Sequence, residues 1–142
     1  MRRPRRRGNC PIPFVLTARA EQLIHGSTDL DATIRRLQAF EQAGADVLYA
    51  PGLRDLETIR TVVASVSKPV NVVMTHADPS LTAAQLAEVG VKRISIGGSG
   101  SRFALNAFMG AAREMAEHGS FTFVGENPPW KDLLDAFAKG SG

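Results

Sequence analysis

The chain has 142 residues, 17 lysines and arginines against 14 aspartates and glutamates, and a single cysteine. That length suits one ordinary core, the lone Cys10 excludes an internal disulfide framework, and 44% hydrophobic with 22% charged residues excludes wholesale disorder. No apolar run nears the roughly 20 residues that span a bilayer, and the net charge of +3 is local: Arg2, Arg3, Arg5, Arg6 and Arg7 outweigh it, so the remainder is slightly acidic.

In chain order, residues 1–10 form a basic tail in which Pro4 and Gly8 break any helix. Five like charges so close repel one another and stay solvated. The tail reads either as an arm for phosphate or anionic lipid, or as an untidy terminus without a role. Residues 11–16 are too short and interrupted for the apolar core of a secretory signal, and the prolines oppose the amphipathic helix of a mitochondrial presequence. A cytoplasmic protein is expected, with neither nucleic acid nor membrane as partner.

Four short apolar runs follow, at residues 13–18 (PFVLTA), 45–50 (ADVLYA), 69–74 (PVNVVM) and 92–96 (KRISI). Each has strand length, and near-continuous apolar strands suit a parallel sheet covered on both faces. Helical patterns lie between and after them. Residues 30–43 carry Ile34, Leu37 and Phe40 near period 3.6, with Asp29 or Asp31 as cap and Gly44 as stop. Residues 55–66 place Leu56, Ile59, Val62 and Val63 on one face. Residues 82–89 repeat the pattern with Leu86 and Val89, from a cap at Ser80 to a stop at Gly90. Residues 102–118 are the longest, with Leu105, Phe108, Met109, Ala112 and Met115 on one side, read as a stripe facing the core. Residues 130–138 form a last amphipathic helix after Pro128 and Pro129.

The result is four βα units in residues 11–125, then a linker and a C-terminal helix in residues 126–142. Strand starts 23 to 32 residues apart, near residues 13, 45, 69 and 92, have βα spacing, with right-handed crossovers. Four units form either a small open doubly wound sheet or half of an eight-unit barrel. A half barrel leaves a sheet edge and an apolar face to be covered.

Parallel α/β folds gather their ligands at the carboxyl ends of the strands, here residues 17–21, 49–53, 71–78 and 97–102. Arg19 directly follows an apolar strand, where a guanidinium demands an anionic partner: a ligand carboxylate or phosphate gripped bidentately, or an internal ion pair with Glu21 or Asp46. Gly97 and Gly98 open a glycine-serine loop into a helix. Such a loop is either an anion cradle of free N–H groups or merely a tight turn. Arg102 puts a cation into that helix's first turn, which an anionic partner would offset. Asn71 interrupts an apolar strand and needs hydrogen-bond partners, either a substrate oxygen or the neighbouring strands. His118 reads as a cation at a helix C-terminus. His25 lies in a polar loop, and His76 with Asp78 is too sparse for a metal site. Cys10 lacks the setting of a nucleophile.

Read together, PFVLTARAE, FEQAGADVLYAPGL, KPVNVVM and VKRISIGGS followed by FALNAFMGAAREM resemble the isocitrate lyase/phosphoenolpyruvate mutase superfamily over residues 11–125. The likeness is greatest to its branch of 2-methylisocitrate lyases and carboxyphosphonoenolpyruvate phosphonomutases. The resemblance implies a (β/α)8 barrel, of which this chain supplies the C-terminal half. It further implies Mg²⁺ and small 2-oxo or hydroxy carboxylic acids cleaved at a C–C bond through a pyruvate enolate. Arg19 matches the family's strand-end arginine for a substrate carboxylate, and Arg102 falls where relatives carry another. Asn71 lies near the family's strand asparagine, which an ungapped match puts at Val73 on the same face.

The sequence also departs from the pattern. Pro51 stands where the lyases carry a glutamate. The metal-holding aspartates and the loop with a catalytic cysteine belong to the half not seen here, and Cys10 does not replace that cysteine. No catalytic residue and no metal ligand is therefore assigned to this chain, which is expected to lack lyase activity alone. Its partner is expected to be a missing N-terminal half or a second copy, making a homo-oligomer. The C-terminal helix of relatives swaps between subunits, and Pro128–Pro129 before residues 130–138 is compatible with that. Two alternatives stand beside the lyase reading: a non-enzymatic half barrel, and a stand-alone phosphate or nucleotide binder using residues 97–102.

Overall fold

The computed structural model describes residues 14–139, so the tail at residues 1–10 and Cys10 lie outside the described residues. The chain divides into two compact units, with the boundary after Ser99.

The first unit alternates strands and helices: β1 (Thr17–Arg19), α1 (Leu30–Gln42), β2 (Val47–Tyr49), α2 (Leu56–Ala64), β3 (Val70–Val73), α3 (Ala83–Glu88) and β4 (Arg93–Ser95). A 3-10 turn at Gln22–His25, absent from the sequence reading, links β1 to α1. The strands are all parallel, in the order β1-β2-β3-β4. A doubly wound sheet reverses its strand order at a switch point. A sheet that winds one way without reversal is that of a barrel. The strand order thus selects the barrel architecture from the two that βα spacing allowed.

Helix starts follow local chemistry. Asp29 and Asp55 accept hydrogen bonds from the backbone N–H of Ala32 and Thr58, both at 2.8 Å. For α3 the cap is Thr82 rather than Ser80. Thr82 and Gln85 form a reciprocal capping box that Ser80, two residues earlier, cannot make. Gly44 and Gly90 end α1 and α3 with φ of +94° and +90°.

Residues alternate across a strand, so the two faces of this sheet differ. Leu48, Val70 and Val72 point to the face that packs on Leu37 of α1, Ile59 and Val62 of α2 and Leu86 of α3. Burying each such side chain contributes about 1.5–3 kcal/mol. Thr17, Arg19, Tyr49, Asn71, Arg93 and Ser95 take the other face.

The second unit holds α4 (Ser99–His118) from Gly100 onward, a 3-10 turn at Thr122–Glu126 and α5 (Trp130–Lys139). The apolar stripe of α4 is not core: Leu105, Phe108, Met109 and Met115 are all exposed. Periodicity shows that a face favours cover, but it does not place the cover within the same chain.

Candidate functional site

The polar face of the sheet is organised as one row. The register pairs Arg19 with Tyr49, Tyr49 with Asn71, and Asn71 with Arg93. Four strands thus carry four polar side chains at the same level. Neighbouring members lie about 4.8 Å apart along the row.

Arg19 stacks over Tyr49, with its guanidinium carbon 4.7 Å from the ring centroid. Its Nε donates to Glu21 at 2.6 Å, so the internal pair considered from sequence is made with Glu21. Both side chains of that pair remain about half exposed (51% and 41%), which keeps its stabilising value low. Burial pushes the Tyr49 phenol above its ordinary pKa, and the nearby Arg19 and Arg93 guanidiniums oppose that rise. At neutral pH the phenol is therefore protonated and able to donate a hydrogen bond.

Asn71 is completely buried, and both ends of its amide are engaged by β4. Nδ2 donates to Ser95 Oγ at 3.0 Å, and Oδ1 accepts from Arg93 Nη1 at 3.1 Å. Of the two fates considered for this amide, the neighbouring strand is the one realised. Val73, where the ungapped match put the family's asparagine, is also buried, on the same strand face. Arg93 itself was read only as part of an apolar run. As a charged residue inside a strand, Arg93 carries the same signal as Asn71.

The loops above this row are tied together by backbone and hydroxyl contacts. Pro51 is fully buried, and Gly52 beside it has φ of +101°, where a Cβ would stand 2.8 Å from Leu23 Cβ. Asp78 N–H donates to Arg54 O at 2.7 Å, joining the turns after β2 and β3. Thr75 Oγ1 donates to Ile96 O at 2.8 Å and lies 3.1 Å from Ser99 Oγ. Gly97, with φ of +54°, admits this approach because a Cβ there would meet Thr75 Oγ1 at 3.0 Å. Gly98 completes the turn into α4, and Arg102 stands exposed on α4 in the second unit. The structure therefore joins Arg19 and Asn71 in one row, sets Gly97 and Gly98 after β4, and places Arg102 in the other unit.

His76 is exposed, and Asp78 caps the backbone N–H of Ser80 at 2.8 Å, which holds its carboxyl below the usual range. Among the described residues no three His, Cys, Asp or Glu side chains gather as a metal site. This donor set does not fit Mg²⁺. The second unit has its own cavity of about 560 Å³, lined by Phe108, Glu114, Phe123 and Glu126 among others. Two carboxylates and no cation in that lining make it a poor receiver of an acid.

A sequentially wound parallel sheet, here with Arg19 and Arg93 on its polar face, defines a chain of the (β/α) barrel class. The phosphoenolpyruvate phosphomutase family matches residues 2–116, and the chain belongs to that family. Among solved structures it is similar to a protein described as a lyase/mutase from Burkholderia cenocepacia J2315. That match has 50% identity and a TM-score of 0.83, over 92% of this chain and 47% of that one. It is 38% identical over 80 residues to an oxaloacetate decarboxylase of Pseudomonas fluorescens, covering 56% of this chain and 27% of the relative. It is 29% identical over 126 residues to a 2-methylisocitrate lyase of Aeropyrum pernix, covering 83% and 38%. The chain thus spans about half the length of that solved relative, and less of the two curated ones.

Proposed function

We infer that this chain supplies the carboxylate-binding half of a lyase- or mutase-type site for small 2-oxo or hydroxy acids, and that it does not turn them over alone. The observation that carries the reading is Arg19 at the carboxyl end of β1, stacked on Tyr49 and open to solvent on the face a barrel encloses. A guanidinium fork there grips a carboxylate, and the Tyr49 hydroxyl donates to a second ligand oxygen. In the reaction class of the relatives, an enolate-type intermediate gathers negative charge on the former oxo oxygen. Fixed cations and donors stabilise such charge when water is excluded.

The groups that would hold Mg²⁺ and move the proton belong, on this reading, to the part of the fold that the chain does not span. The same holds for cover over the edges at β1 and β4, whether it comes from a complementary half or from a second copy. A phosphate or nucleotide binder of the doubly wound kind is not favoured, because the strand order has no switch point.

The test is an assay of the purified chain with 2-methylisocitrate, isocitrate and oxaloacetate in the presence of Mg²⁺. The expected result is no turnover above the uncatalysed rate. Catalysis of any of the three would contradict the reading.

A further inference from the structure

The second unit carries a cavity that the acid-binding reading does not use. Its volume is about 560 Å³, and its lining comes from α4 and from the turn at Thr122–Glu126 with Asn127 behind it. Glu114 builds the wall. Its Oε1 accepts from Ser120 Oγ at 2.8 Å and from Thr122 N–H at 2.5 Å, which folds the turn back onto the helix. These hydrogen bonds, that from Ser120 foremost, hold the Glu114 carboxyl below its ordinary range, so it is charged at neutral pH.

Charge, rings and open space in this lining select one class of ligand. Glu114 and Glu126 line the cavity, and no lysine, arginine or histidine does. Glu114 is engaged by the turn, whereas Glu126 has no ion pair or side-chain hydrogen bond among the described residues. Phe108 and Phe123 add two aromatic rings, whose faces attract cations. Gly110 lies on the lining side of α4, where a glycine weakens a helix relative to alanine. A Cβ at Gly110 would meet nothing within 4 Å, so no described neighbour requires the glycine. The missing side chain leaves the cavity open instead. The volume falls within the roughly 300–1,000 Å³ of sites that take small molecules.

We propose that this cavity binds small organic ammonium ions that carry an apolar group. The ammonium is held by the Glu126 carboxylate and the faces of Phe108 and Phe123, and the apolar group lies over Gly110. The site is independent of the acid-binding face, which belongs to the first unit, and neither reading depends on the other. A purely structural role for the cavity predicts no preference between ligands of one shape and different charge.

Protonated phenethylamine, 2-phenylethanol and 3-phenylpropionate share a ring and differ in charge. Each is titrated into the isotope-labelled full chain and followed by amide NMR, with circular dichroism to confirm that every variant folds. The amine is expected to perturb residues 107–114 and 122–127. The alcohol is expected to bind about tenfold more weakly, the worth of one charge-assisted contact, and the acid not at all. Glu126→Gln keeps the shape without the charge and should bring the amine down to the affinity of the alcohol. Gly110→Leu fills the open space and should abolish binding of both. Glu117→Gln removes an exposed α4 carboxylate outside the lining and should change amine affinity by less than about twofold. Equal binding of amine and alcohol overturns the proposal, as does amine binding that survives either Glu126→Gln or Gly110→Leu at full strength. Absence of amine binding to the wild type overturns it outright and leaves the acid-binding reading untouched.

Discussion

The two faces of one four-stranded sheet carry opposite chemistry, although their residues alternate along the same strands. One face is Leu48, Val70 and Val72 packed on three helices. The other is Arg19, Tyr49, Asn71 and Arg93, where Arg19 stacks on Tyr49 and Arg93 donates to the Asn71 amide oxygen. The first face supplies the stability that holds the second in place. A short strand of three or four residues can do both because its side-chain period is two.

Substitutions on the two faces should separate these roles. Leu48→Ala removes a fully buried side chain and leaves a cavity, with an expected loss of about 2–5 kcal/mol in chemical denaturation. Asn71→Ala strands Arg93 and Ser95 without their amide partner, at an expected cost of about 1–3 kcal/mol. A larger loss for Asn71→Ala than for Leu48→Ala would erase the distinction between a stabilising face and a binding face.

A smaller effect tests the loops above the row. Asp55 accepts from Thr58 N–H and Oγ1, which holds its carboxyl below the ordinary range. A depressed folded pKa gives stability that is complete above the unfolded value and is lost as pH falls through the folded one. Asp55→Ala should therefore cost about 1 kcal/mol at neutral pH, with the gap to wild type closing in acid. Parallel urea melts at neutral and acid pH read this directly. A gap that widens on acidification would contradict the assigned cap.

The alternation of apolar runs and amphipathic helices was legible from sequence, and so were Gly44 and Gly90, because each depends on local chemistry; for the α1 cap the sequence left Asp29 and Asp31 open, and the structure has Asp29. The choice between a reversing and a sequential sheet was not, since βα spacing is the same in both. Arg19 was legible because it ends a strand. Its pairing with Glu21 rather than Asp46 needed the backbone path. Arg93 was passed over inside KRISI, although period two already puts it on the face of Ser95. The α4 stripe shows the opposite limit. Its amphipathic pattern is plain in the sequence, yet Phe108 and Met109 are exposed, because a pattern does not say which chain provides the cover.

The central claim is that an acid binds on the polar face of the sheet, and amide NMR of the isotope-labelled chain titrated with malate tests it most directly. The account predicts perturbations centred on Arg19, Tyr49, Asn71 and Arg93. Perturbations confined to α4 or α5, or no perturbation at all, would contradict it.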